Sequence, residues 1–151
     1  MRKSNIADLG SLNINGSVKD IIPSATGFDI CSGKGVDVVL EPAVVPEKYM
    51  SSFDIVFCVN ALNACPDVKI FVKEIKNLLK SGGILFLAFR LGNYLSHSTS
   101  PNKYGYGWYQ ISDPDKIICE FSSDFDIVSQ KCIITSNDYL VIMKKKIGVN
   151  L

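Results

Sequence analysis

Asn5-Ile-Ala-Asp-Leu-Gly-Ser-Leu-Asn-Ile-Asn-Gly-Ser17 is the stretch whose reading decides the fold. A short apolar run ends beside a carboxylate and passes through glycine into a polar turn. Ile6, Ala7 and Leu9 are spaced as in a buried parallel strand, and Gly10 and Gly16 permit sharp turns and a close approach of backbone to a ligand. An ordinary strand-to-helix junction would look the same. Counting excludes two familiar glycine loops. The phosphate-cradling loop of nucleoside triphosphatases needs four residues between its glycines and then Lys-Ser/Thr, but five separate Gly10 from Gly16 and Ser17-Val18 follow. The dinucleotide fingerprint needs glycine where Leu12 stands. A ligand with no phosphate at this turn is favoured, and a nicotinamide oxidoreductase is disfavoured.

Outward from this stretch, 151 residues with 47% hydrophobic content predict a single domain, residues 1–151, with a real core. A net charge of +1 gives no electrostatic footprint for nucleic acid, and Lys144-Lys145-Lys146 reads as a solvated strand end. No apolar stretch is long enough to span a bilayer and no leader is visible, so the expectation is a cytoplasmic protein without membrane contact. Cys31, Cys58, Cys65, Cys119 and Cys132 are odd in number and never spaced as Cys-x-x-Cys. They read as small buried residues, with no metal site and no disulfide.

In chain order, Gly16 to Ile22 allows only a turn or two of helix before Pro23, so the first crossover is compact. Thr26 to Ile30 and Gly35 to Leu40 read as the next two strands, each ending beside a carboxylate, Asp29 and Glu41. Glu41 to Ser52, interrupted by Pro42 and Pro46, is a loop or one turn. Phe53 to Val59 is a continuous apolar run suited to a sheet covered on both faces. Pro66 to Lys80 predicts the clearest helix, with Val68, Phe71, Val72, Ile75, Leu78 and Leu79 on one stripe and Lys73, Glu74 and Lys76 towards solvent. Ser81-Gly-Gly83 is expected to cap it before a fifth strand, Ile84 to Phe89. Arg90 to Ser112 is a long loop rich in tyrosine, with His97 and Trp108. Asp113-Pro114 opens a helix with Ile117, Ile118 and Phe121 inward. Phe125 to Ile134 and Tyr139 to Met143 close the chain as a hairpin.

This order resembles the class I S-adenosylmethionine-dependent methyltransferases, specifically the methyltransferase type-11 kind. Asn5 to Gly16 resembles the first motif, Phe28-Asp29 and Leu40-Glu41 the acidic ends of the second and third strands, and Phe53-Asp-Ile-Val through Pro66-Asp67 the fourth motif. Ile75-Lys-Asn-Leu-Leu-Lys-Ser-Gly-Gly-Ile-Leu85 is similar to the family's helix-glycine-strand signature. The resemblance implies an α/β fold, a Rossmann-like methyltransferase sandwich whose seven-stranded, mostly parallel sheet has an antiparallel last strand and the order 3-2-1-4-5-7-6. The chain departs from the family in two respects. Leu12 replaces a glycine of the first motif, and the chain reads as a short form without the N-terminal helices that cover the cofactor in relatives.

The resemblance also implies a site. Asp8, Gly10, Ser11 and Leu12 would lie against the methionine part of S-adenosylmethionine, Asp29 would accept from both ribose hydroxyls, Glu41 would receive the adenine amino group between Ile30 and Pro42, and Asn60 and Ala61 would line the sulfonium side. A carboxylate suits the ribose position because it offers only acceptors. The expected reaction is methyl transfer to a small-molecule or sugar-type acceptor, with His97 as base where a hydroxyl must be deprotonated. The aromatic stretch Tyr104-Gly-Tyr-Gly-Trp-Tyr109 is expected to cover the site, or else a second copy of the chain in a homo-oligomer, or a partner chain, does so. The second reading is a degenerate, non-catalytic binding or partner subunit on the same fold.

Overall fold

The computed structural model describes residues 4–13, 16–40, 44–64, 67–92 and 111–148. In these the elements are β1 (Ile6–Leu9), β2 (Thr26–Asp29), β3 (Val38–Val39), β4 (Phe53–Val59), α1 (Val68–Leu78), β5 (Leu79–Arg90), α2 (Pro114–Phe121), β6 (Phe125–Ile133) and β7 (Asp138–Lys145). They form a seven-stranded sheet of order β3-β2-β1-β4-β5-β7-β6. The first five strands pair in parallel, and β7 runs antiparallel to both β5 and β6. The expected α/β architecture and strand order are borne out.

The core occupies one face. Strand pairing sets Ala7 beside Val56, Val56 beside Leu85 and Leu85 beside Met143, while Leu87 lies beside Val141 and Phe89 beside Tyr139. All of these are buried. Against them pack Val72, Ile75 and Leu78 of α1 and Ile117, Ile118 and Phe121 of α2, in one continuous apolar cluster. Both helices start on aspartate caps: Asp67 accepts from the N–H groups of Lys69 and Ile70, and Asp113 accepts from Asp115 N–H with Pro114 in the first turn. The opposite face differs from expectation. There Ile55, Phe57, Ile84, Phe86 and Ile142 are only half-buried, and Val59 and Leu140 are exposed. Phe57 and Phe86 stack on each other at 4.8 Å. The apolar run of β4 satisfies one deeply buried face and one shallow one, which composition alone does not separate.

Three expectations about α1 and its exit change. The helix spans Val68–Leu78, and Leu79 passes directly into extended backbone as its C-cap. Ser81-Gly-Gly83 is therefore no cap. Between the pairs Phe53 with Leu79 and Ile55 with Ile84 the fifth strand carries extra residues, which bulge outward, and Gly82 takes the left-handed φ of +75° that this needs. Lys145 caps the helix instead, its Nζ donating to the carbonyls of Lys76 at 2.7 Å and Leu79 at 2.8 Å. Burial lowers the Lys145 pKa, partly opposed by the charge of Asp124, which also pairs with Lys76. Finally, Glu74 does not face solvent. It is buried, its Oε2 accepts from Val45 N–H at 2.7 Å, and it thereby anchors the segment that follows the third strand.

Of the cysteines, Cys58 is buried as expected and Cys31 is half-buried, but Cys119 and Cys132 are exposed. Cys119 lies on the outer side of α2, and Cys132 lies on β6, an edge strand exposed along most of its length. Among the described residues no cluster could hold a metal ion, and no helix is long and apolar enough to cross a membrane.

Glu74→Leu keeps the buried volume and removes the acceptor for Val45 N–H. Urea denaturation should report a loss of about 1 to 3 kcal/mol, the cost of a stranded buried donor. A variant as stable as wild type would show that this bond does not anchor the segment.

Candidate functional site

The strand order fixes where a site can form. β1 is flanked by β2 and β4, so the chain leaves its carboxyl end in opposite directions on either side, and open α/β sheets bind ligands at such a point. Three segments meet there: the turn after β1, the end of β2 and the turn after β4.

The turn after β1 is pinned onto β2. Gly10 N–H and Ser11 N–H both donate to Phe28 O, at 2.8 and 3.1 Å. Gly10 takes φ +87°, and a Cβ at this position would stand 2.2 Å from Cβ of Ala61, so only glycine lets the two turns touch. Leu12 N–H donates to Asp29 Oδ2 at 3.0 Å, and Cys31 N–H donates to Asp29 Oδ1 at 3.0 Å. The Leu12 side chain lies over Gly33, where an added Cβ would come within 2.4 Å of Leu12 Cδ1. Ser11 is buried against Gly27, and its Oγ has no hydrogen-bond partner among the described residues.

A polar network replaces the missing helix of the first crossover. Ser17 caps a single 3-10 turn, Val18–Asp20, in a reciprocal box with Asp20. Asn13 Nδ2 donates to both oxygens of Asp20, and Gly16 N–H donates to Asn13 Oδ1. Ser17 Oγ donates to Asp8 Oδ2 at 3.1 Å. Lys19 pairs with Asp37, whose Oδ2 also accepts from Gly27 N–H at 2.7 Å. That backbone bond, with Lys19 added, holds the Asp37 carboxyl below the usual carboxylate range.

Asp8 is 3% exposed. Burial pushes its pKa above the ordinary value of 3.8, the nearby charge of Asp29 adds to the rise, and the bonds from Ser17 and the Val18 backbone oppose it. On the far side, Asn60 is exposed, takes φ +58° and donates its N–H to Ala88 O at 2.8 Å.

Asp8, Gly10, Ser11, Leu12, Asp29, Ile30, Asn60 and Ala61 thus stand at or just beyond the carboxyl ends of β1, β2 and β4. Glu41, Pro42 and His97, together with most of the aromatic loop, lie outside the described residues. Sequence reading missed Ser17 and Asn63. Ser17-x-x-Asp20 is a legible capping signal, whereas Asn63 meets its partner Arg90 across a distance in sequence that no local pattern spans.

The residues fit the cofactor that the resemblance implies. Among the described residues each Asp29 oxygen accepts a single backbone N–H, which leaves a lone pair on each for a hydroxyl.

Residues 25–87 match the methyltransferase domain family. No curated protein sequence matches the chain. Among solved structures, a SAM-dependent methyltransferase from Methanosarcina mazei is 17% identical with a TM-score of 0.68, covering 97% of this chain and 94% of its own. The 1,6-didemethyltoxoflavin-N1-methyltransferase of Burkholderia thailandensis, solved with 1,6-didemethyltoxoflavin and S-adenosylhomocysteine, is 15% identical with a TM-score of 0.67 over 97% of this chain and 72% of its own. A putative methyltransferase of Haloferax volcanii, in complex with the activator Trm112, is 13% identical with a TM-score of 0.63 over 95% and 83%. The fold is that of the class I S-adenosylmethionine-dependent methyltransferases, as the resemblance implied.

Asp8→Asn tests the cost of the buried carboxylate. A folded-state pKa above the unfolded one means that the native state holds the extra proton, so this group's contribution to stability is present below 3.8 and is lost as pH rises through the raised value. The variant should therefore be more stable than wild type at pH 7, with the advantage shrinking at acid pH in thermal melts. A pH-independent difference would contradict the assignment.

Proposed function

We propose that this chain is an S-adenosylmethionine-dependent methyltransferase of one domain, acting on a small-molecule or sugar-type acceptor in the cytoplasm. The observation that carries the reading is Asp29, a half-buried carboxylate at the carboxyl end of β2 tied to the turn that holds Gly10 and Leu12. Asp29 accepts the ribose hydroxyls, Asp8, Gly10, Ser11 and Leu12 form the wall at the methionine part, Ile30 flanks the adenine, and Asn60 and Ala61 line the sulfonium side. Glu41 and Pro42 complete the adenine end in the same proposal.

The bound cofactor supplies a methyl group on a positively charged sulfur, open to in-line displacement. The chain's own contribution is placement: holding donor and acceptor aligned at contact distance supplies ~7 to 11 kcal/mol of such a barrier. Gly10 and Ala61, in van der Waals contact, fix two walls of the site relative to one another. For a hydroxyl acceptor His97 takes the proton. The aromatic stretch Tyr104 to Tyr109, or in its place a second copy of the chain or a partner chain, covers the site and excludes water from it.

One observation favours the second reading, a non-catalytic binding or partner subunit. Leu12 places a branched side chain over Gly33, in a turn where relatives of the family usually carry glycine.

Calorimetric titration with S-adenosylmethionine, S-adenosylhomocysteine and NADH separates the alternatives. The first two should bind and the third should not. Asp29→Ala should weaken S-adenosylhomocysteine at least tenfold, since each hydrogen bond to a charged group contributes about 1.5 to 3 kcal/mol. Equal binding by variant and wild type would place the ribose elsewhere. Binding with no methyl transferred to any acceptor in a broad panel would favour the non-catalytic subunit.

A further inference from the structure

We infer that Asn63 is the positioning residue of this site, holding the turn after β4 so that Asn60 and Ala61 face the reactive end of the cofactor. The inference rests on the functional reading above and adds a residue to it.

Asn63 is 3% exposed, a depth at which a carboxamide is costly unless its groups are bonded. It is bonded in a specific way. Nδ2 donates to Arg90 O at 3.0 Å, and Oδ1 accepts from Arg90 N–H at 2.9 Å. One side chain therefore satisfies both backbone groups of the last residue of β5, as a neighbouring strand would. β4 ends at Val59 and cannot supply that rung itself. The anchor is firm, because Arg90 pairs with Asp138 of β7 in the sheet and its Nε donates to Asp138 Oδ1 at 2.8 Å.

The turn so anchored bends sharply: Asn60 has φ +58°, in the left-handed region that asparagine tolerates better than most residues. Asn60 N–H donates to Ala88 O at 2.8 Å, Ala64 N–H donates to Ala61 O at 3.0 Å, and Leu62 is sealed in the core. Asn63 closes this short 3-10 turn, Leu62–Ala64, onto β5. Packing alone would be met by leucine at position 63. The carboxamide adds direction: it sets the height of Ala61 against Gly10, where contact is already close enough to exclude a Cβ.

The test compares wild type with Asn63→Leu, which keeps volume and loses both bonds, and Asn63→Asp, which keeps an acceptor for Arg90 N–H and loses the donor to Arg90 O. Amide exchange is first read on the unliganded proteins. In Asn63→Leu the Asn60 amide should exchange about tenfold faster, the loss of a buried hydrogen-bond pair, while Val56 and Cys58 of the same strand stay protected. The aspartate variant should fall between the two. A merely structural role would loosen β4 throughout or not at all. Affinity for S-adenosylhomocysteine should fall by about the same factor in the leucine variant. Unchanged Asn60 exchange overturns the clamp. Changed exchange with unchanged affinity overturns the positioning role alone, and a wild type that does not bind S-adenosylhomocysteine overturns the functional reading as well, with the exchange result still deciding the clamp.

Discussion

Parallel strands cannot be joined by a tight hairpin, so the chain between Leu9 and Thr26 must cross over the sheet and return. Among its described residues the crossover carries a single 3-10 turn, Val18–Asp20, and much of the local structure follows from that. A helix would satisfy its own backbone. A loop must find partners one by one, and this one finds them in Ser17, Asp20, Asn13 and the Phe28 carbonyl. Because those partners sit at the carboxyl ends of β1 and β2, the network that closes the crossover also shapes the wall of the site. Asp29 ties the two together: it receives the Leu12 and Cys31 amides, and it is the carboxylate on which the proposed ribose contact rests.

Among the described residues the two faces of the sheet are covered unequally. α1 and α2 bury the face that carries Val56, Leu85, Leu87 and Met143, and Glu74 and Lys145 tie that layer to the chain on either side of it. On the other face the described cover is the first crossover, which reaches Asp8 through Ser17. Half-buried Phe57 and Phe86 compensate in part by stacking on one another, a contact that removes apolar area from water without a covering helix.

Most of this architecture was legible in the sequence. β4 lies where its apolar run stands, α2 buries the three residues its periodicity selects, and the order of the strands is the one that the family resemblance implied. Failures cluster where a long-range partner overrides a local preference. Glu74 reads as solvent-facing by charge but is claimed by the Val45 amide, and Ser81-Gly-Gly83 reads as a cap but is displaced by Lys145 from β7. Strand three covers Val38–Val39, shorter than the Gly35 to Leu40 read from the sequence, and stands at the edge of the sheet, paired with β2 alone among the described residues. That Asp8, Gly10, Asp29 and Asn60 stand at the ends of strands was legible. The Gly10 contact with Ala61 and the Asn63 bonds to Arg90 were not, since each joins segments far apart in the chain.

Energetic costs are not spread evenly over the molecule. Asp8 is a desolvated carboxylate, Ser11 carries a buried hydroxyl without a partner among the described residues, and Asn60 holds a left-handed backbone. All three stand at the carboxyl ends of β1 and β4. The other non-glycine residues of positive φ among those described, Ser51 and Asn137, lie in the turns before β4 and between β6 and β7. A fold selected for stability alone would relieve these positions with asparagine, alanine and glycine. Their concentration at one point of the sheet accords with the proposed site, since groups held at a cost to stability cluster where ligands are bound.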